Sequence, residues 1–420
     1  MKPCIYGKVP AKSVAAMLAL SAFLFPALVF GQWNRGDLNS AVTSAAAGGT
    51  VTVPVQGVNF DNAYTSASAV AINKNLTLSG SAPNGFPTSI GNLTTDILNQ
   101  IRGQKTDSVT SLIPLVSSRV DTFGVPGMSF IQGSGGGSRG RSTDNLAEFN
   151  VTKWLDITAG SHELSLQFLH FRDVSIENTF TSTSAGGVVN GLIGSISSNT
   201  GDTTMGNMRG NAFTGIGVTL HGYEDTHYLA GGGVIGLRAT GEGGAPSASA
   251  SMGDIIGNVF KDVTVITDGT NSYNSESAYI EGGGVIGVDG VSTPDTKSGH
   301  ASIRSLDNNL FTDIEVRSDD IILGGGVVGV NNNSQNSDLS TYSEILAVSG
   351  NIFGNGILDT TTPENSGIYV TSKYSLRGGG VIGVNGLSNA AVWLNGLTNN
   401  VFAGIYVDTD SYLKGGGIIG

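Results

Sequence analysis

The feature that most constrains this chain is a phrase that it repeats. Residues 231–236 spell Gly-Gly-Gly-Val-Ile-Gly, and the phrase returns, with Val and Ile exchanging, at 282–287, 324–329, 378–383 and 415–420. Ala185-Gly186-Gly187-Val188-Val189 is a degenerate earlier copy. A chain that repeats itself builds an array, in which each unit buries its apolar side against the next, and no single globular core is needed. The phrase starts lie 51, 42, 54 and 37 residues apart, which predicts a constant core with outward loops of variable length.

A second phrase alternates with the first and is aligned on Phe213, Phe260, Phe311, Phe353 and Phe402. Two residues before each Phe stands Asn211, Asn258, Asn309, Asn351 or Asn400, preceded by Gly210, Gly257, Asn308, Gly350 or Asn399. Gly and Asn tolerate left-handed backbone angles, so the pair predicts a tight bend into a strand. Five before the Phe the residue is apolar (Met208, Ile255, Leu306, Val348, Leu397), and beyond it Ile216/Val218, Val263/Val265, Ile314/Val316 and Ile405/Val407 alternate with polar or small residues. That is the period of a half-buried strand. The Phe353 copy departs, with Gly356 in the isoleucine slot. A third strand ends just before each triple glycine, with Leu229, Ile280, Ile322, Leu376 and Leu413 in one slot. Several short strands per unit and no helix within the units predict a β-solenoid with roughly two turns per unit.

Polarity in this chain comes from Ser, Thr and Asn, since only 13% of residues are charged against about 25% in ordinary globular proteins. Neutral side chains can stack in ladders without piling up like charge. The segment 133–141 (Gly-Ser-Gly-Gly-Gly-Ser-Arg-Gly-Arg) is expected to be flexible.

At the N-terminus, Lys2, Lys8 and Lys12 precede an apolar run from Val14 to Phe30 that ends at Gly31. A basic n-region, a short apolar core and a small residue at the boundary predict a secretory signal over 1–31, cleaved after Gly31. The single cysteine, Cys4, lies inside it, so the mature chain has no disulfide framework. Removing the three signal lysines takes the net charge from −12 to −15, which argues against nucleic acid and anionic lipid as partners.

After the signal, Asp37 is placed to cap a helix over Leu38–Ala47 that stops at Gly48-Gly49. Thr50 to Val53 follows as a strand, and Ala71 to Leu78 as another that ends at Ser79-Gly80. A helix, a Gly-Thr-Val-Thr-Val strand and an Asn-Leu-Thr-Leu-Ser-Gly strand resemble the opening of right-handed parallel β-helices of the pectin-lyase-like superfamily. With the export signal and the two repeated phrases, residues 32–420 resemble the passenger region of a Gram-negative autotransporter. The order within the repeat differs from that of the polymorphic outer-membrane proteins, which share the Gly-Gly-apolar and Phe/Asn phrases.

The resemblance implies an all-β fold, a right-handed parallel β-helix with a short N-terminal capping helix. The expected organisation is a signal at 1–31, a cap and first turns over 32–160 with a flexible insertion near 100–145, and repeat-built β-helix over 161–420. It also implies an exported protein at the cell surface or outer membrane, whose membrane barrel would lie beyond Gly420, or a periplasmic one if there is no barrel. The role implied is adhesion or self-association, with extracellular protein or carbohydrate surfaces, or a second copy, as partners.

The candidate chemistry is sparse. The triple glycines lack the Lys-Ser/Thr of a phosphate-binding loop and the Asp of a calcium repeat. They predict close backbone packing at a narrow part of the solenoid. Arg35-Gly36-Asp37 matches an integrin-binding tripeptide, but Asp37 already serves the helix. Asp319-Asp320, Gly299-His300, and His221 with Glu224-Asp225 are the groups that a polysaccharide lyase or glycoside hydrolase of the pectin-lyase-like superfamily would have to use. Their order does not follow the polygalacturonase pattern and no Arg-x-Lys completes it. No catalytic, cofactor-binding or metal-binding residue is therefore assigned, and no cofactor is expected. A catalytic β-helix should interrupt its repeat with one charged cluster on one face, whereas the acidic residues here scatter through unrepeated loops.

Overall fold

In the computed structural model, the described residues are 31–420 except 61–68, 83–84, 104–111, 126, 134–147, 150–153, 159, 161, 180–187, 190, 199–201, 223–226, 242–247, 270–277, 293–298, 335–340 and 389. Residues 1–30 of the expected signal, most of 133–141 and the pair Glu224-Asp225 lie outside them. The chain winds as a right-handed parallel β-helix. Each repeat is one coil of four strands, so the expected two turns per unit is corrected to one. One coil runs through Thr203–Arg209, Ala212–Gly222, His227–Gly231 and Ile235–Gly241, one strand in each of four parallel sheets. We number the sheets one to four in that order. The next coil starts at Ala248–Ile256, beneath Thr203–Arg209.

The aligned phenylalanines are register partners down sheet two. Their rings stack with centroids 4.8 to 5.0 Å apart and planes within 4°, the strand spacing of a parallel sheet. Phe171 extends the column one coil toward the N-terminus; the phrase alignment missed it because Leu169 stands where later copies have Asn. Phe171 to Phe353 are fully buried, and Phe402 is half-buried in the last coil.

At the bend before each Phe the two residues divide the labour. Gly210, Gly257, Asn308, Gly350 and Asn399 take the left-handed angle, with φ between 52° and 66°. The following Asn builds a buried ladder. Asn258 Oδ1 accepts from the backbone N of Asn211 at 2.9 Å and from its Nδ2 at 3.0 Å. Asn258 Nδ2 in turn donates to Met208 O and to Asn309 Oδ1. The pattern repeats through Asn309, Asn351 and Asn400. A buried amide satisfied on both sides costs little, whereas an orphaned one costs about 1 to 3 kcal/mol.

The triple glycines form the pinch between sheets three and four, as the close-packing expectation required. The first glycine is left-handed (Gly282 φ 103°, Gly324 φ 98°). A Cβ on the second would strike a carbonyl of its own coil, Ile286 O for Gly283 and Val328 O for Gly325. The departure at Gly356 is explained by a loop. Residues 354–367, with a 3-10 turn at Pro363–Asn365, swing out and return at Ile368, which takes the slot beside Ile314.

Helix α1 is Arg35–Ser44, earlier than expected, and its N-cap is Asn34, with Asp37 completing a capping box from the third position. Lys74 Nζ donates to the carbonyls of Thr43 and Ala45 at the other end, where a cation complements the helix dipole. Leu38 and Val42 are buried over the first coil. The strand expected over Ala71–Leu78 is split into Val70–Ile72 and Leu76–Ser79, because Asn73 to Asn75 turn the corner between sheets four and one. The Thr50–Val53 strand is found as Gly49–Thr52.

The largest departure is a pair of helices, α2 (Thr88–Gly103) and α3 (Leu112–Val120), in and beside the stretch expected to be a flexible insertion. They lie outside the coil, on a row one residue before each Phe: Ala212, Val259, Leu310, Ile352 and Val401. Adjacent strand residues face opposite ways, so with the Phe inside, this apolar row must face out and needs a cover. Thr94 Oγ1 donates to Gly350 O, and Arg102 reaches Asn399 Oδ1. Among the described residues no helix is long and apolar enough to cross a membrane.

Phe311→Ala should cost about 3 to 5 kcal/mol, and Asn309→Ala about 1 to 3 kcal/mol, since it orphans groups on both neighbouring coils. Hydrogen exchange should show the loss concentrated between residues 255 and 356. Unchanged protection there in both variants would mean that the column and the ladder do not hold the coils.

Candidate functional site

Register places three rows of outward side chains at the end of sheet two. The strands Leu310–Ser318, Ile368–Ser372 and Ile405–Thr409 align Glu315 with Tyr369 and Tyr406, and Arg317 with Thr371 and Asp408. One residue past the strands, the ladder continues through Asp319, Lys373 and Asp410, whose amides donate to Thr267 O, Ser318 O and Ser372 O. Of these side chains, Arg317, Asp319, Tyr369, Thr371, Lys373, Asp408 and Asp410 line an outward groove of about 300 Å³ across three coils.

Tyr369, which lines the groove, stacks on Tyr406 at its edge at 5.6 Å and 21°. The Tyr406 hydroxyl donates to Asp408 Oδ2 at 3.2 Å, and the Asp408 charge holds this phenol above its ordinary range. Arg317 is occupied by Glu315 through both Nε and Nη2. The floor is stiff, because Ser372 Oγ donates to Asp320 O while accepting from Ser375 N. Tyr374 and Tyr412 meet edge to face at the adjacent corner.

The sequence candidates are dispersed. Asp319 lines the groove, whereas Asp320 turns the corner, where its carbonyl accepts from the amides of Tyr374 and Ser375. His300 is on a different sheet, in Gly299–Asp307, stacked on Tyr342 at 3.9 Å, and burial holds it below its ordinary value. The Gly-His and Asp-Asp pairs therefore do not assemble into one constellation. His221 is on sheet two, but its side chain, like Glu224-Asp225, is outside the described residues. In Arg35-Gly36-Asp37 the Asp carboxylate accepts from Asn34 N, so the tripeptide forms the first turn of α1. Among the described residues no three His, Cys, Asp or Glu gather as metal ligands.

Two features escaped the sequence reasoning. The tyrosine pair carries a visible signal, Ile-Tyr-Val at 368–370 and again at 405–407, the second copy in the strand already aligned on Ile405 and Val407. The second is a charged interruption of the repeat, Arg238 with Glu281 and Asp289. It is enclosed between sheets three and four, with side chains 13%, 8% and 0% exposed.

Comparison with protein-family models, curated proteins and solved structures finds no match for this chain. Its functional reading therefore rests on geometry and chemistry.

Asp408→Asn should lower the Tyr406 phenol toward its ordinary value, because the neighbouring charge is the leading cause of its elevation. Ultraviolet titration of the tyrosines, compared with a Tyr406→Phe control, reads this directly. A titration curve unchanged by Asp408→Asn would separate the two side chains.

Proposed function

We propose that the chain is an exported surface rod that acts by adhesion or self-association and is not catalytic. The observation that carries this is the groove. It sets Tyr369, stacked on Tyr406 beside it, among exposed Asp319, Asp408, Asp410 and Lys373 across three coils. Tyrosines offer large contact area at low entropic cost and keep a polar tip, the composition of recognition surfaces. A glycosidase acid, by contrast, is a carboxyl kept protonated by burial, and these three carboxylates are exposed. The buried cluster of Arg238, Glu281 and Asp289, with side chains at most 13% exposed, is too enclosed to receive a polymer substrate.

The partners proposed are extracellular protein or carbohydrate surfaces, or a second copy of the chain. The basic-then-apolar N-terminus supports export, and the repeats support the resemblance to autotransporter passengers. A second possibility, a polysaccharide-cleaving enzyme, is favoured by one observation only: Asp319 does lie in an outward groove beside Lys373 and Arg317.

The exported protein should begin at Gln32 by mass spectrometry. Presented with immobilised extracellular-matrix proteins and a glycan array, it should bind one class, with Tyr369→Ala/Tyr406→Ala weakening binding at least about tenfold, the loss expected for hot-spot aromatics. It should release no sugar ends from uronic-acid polymers. Reducing or unsaturated ends that disappear in Asp319→Asn would establish the enzyme instead. Binding indifferent to the tyrosines would remove the groove from the proposal.

A further inference from the structure

The enclosed trio follows from simple charge counting. Glu281 comes from Ala278–Gly283 of sheet three, next to the left-handed Gly282. Arg238 and Asp289 are register partners on sheet four. Arg238 Nη1 is 2.9 Å from Glu281 Oε2, and Arg238 Nε is 3.5 Å from Asp289 Oδ2. Asp289 Oδ1 accepts from Asn331 Nδ2 at 2.8 Å. Asp289 Oδ2 receives no hydrogen bond from Asn331 or Arg238, which leaves it open to a proton carried by Glu281.

Among the described residues, the register partners that flank the trio add no charge, and Arg238 follows Ile196 in sheet four. The partners of Glu281 in sheet three are Ala230 and Leu323, and the next residue beyond Asp289 in sheet four is the neutral Asn331. Two carboxyls therefore face one guanidinium in a site walled from water. With both ionised, the trio itself would carry a net negative charge, which a low-dielectric interior strongly disfavours.

We propose that Arg238, Glu281 and Asp289 form a proton-locked latch across the glycine pinch. Glu281 keeps its proton at neutral pH and donates it to Asp289, and loss of that proton loosens sheet three from sheet four. Burial first, then the Asp289 charge, raises the Glu281 carboxyl from 4.5 to about 8, against the opposing pull of Arg238. Burial likewise pushes Asp289 up.

The sign of the linkage is fixed by this direction. A folded state that holds a proton which the unfolded chain has released loses stability as pH rises. The latch is at full strength below about 4.5, weakens through neutrality, and is fully discharged above about 8.

The test compares thermal unfolding of the whole chain and of Glu281→Gln across about pH 4.5 to 9. Infrared spectroscopy of both is recorded at neutral pH for the carbonyl band of a buried protonated carboxyl. Glu281→Gln keeps the neutral Arg238/Asp289 pair, so its melting temperature should gain steadily on the wild type as pH rises and level off above about 8. The carboxylic-acid band should be present in the wild type and missing in the variant. A melting difference independent of pH, or a band that survives the substitution, overturns the proposal. If Glu281→Gln does not fold, Asp289→Asn replaces it. With one carboxyl against one guanidinium, the acid should ionise and the band vanish at neutral pH, and a band that persists in Asp289→Asn refutes the latch.

Discussion

The structure depends on one constraint, that parallel coils about 4.8 Å apart place equivalent residues directly on top of one another. Whatever occupies a slot must tolerate its own neighbour above and below. Phenylalanine does so by offset stacking, and asparagine by being donor and acceptor at once, so that Asn211, Asn258, Asn309, Asn351 and Asn400 bond one another and the backbone. A lysine or glutamate in those slots would repel its copies. The scarcity of charge and the abundance of Asn, Ser and Thr are consequences of this rule.

The same rule makes exceptions informative. The pinch between sheets three and four admits only glycine at its closest approach, and the side chains just outside it sit in a narrow dry layer. Here this layer holds three ionisable groups, Glu281 and Asp289 from one coil and Arg238 from the coil before it, where the other slots of the same rows hold Ala230, Leu323 and Asn331. Buried charge of this kind offers little net stability over an apolar packing. Its effect is to tie the strength of the pinch to a proton.

Outside the coil, the row that α2 and α3 cover and the groove at Tyr369 and Tyr406 show two fates for an outward ladder. Ala212, Val259, Leu310, Ile352 and Val401 are apolar and are closed off by helices from the same chain. The tyrosine, aspartate and lysine ladder remains open to solvent. On a stacked scaffold the difference between core and recognition surface is decided row by row, since a side-chain type repeated in one slot writes a continuous stripe along the rod.

Local chemistry in the sequence determined the solenoid, the bend before each Phe, the buried Phe and Val/Ile slots and the need for glycine at the pinch, because each recurs with its neighbours and needs no distant partner. Coil length was misjudged at two turns per unit, because periodicity counts strands without saying how many corners close a circuit. The helices α2 and α3 were missed although the apolar residue before each Phe called for a cover, because nothing local says which segment will supply it. The trio Arg238, Glu281 and Asp289, 43 and 51 residues apart, and the groove built from Asp319, Lys373 and Asp410 on three coils exist only once the register is set. Position within a coil is a property of the sequence, whereas adjacency between coils depends on loop lengths that only the folded chain adds up.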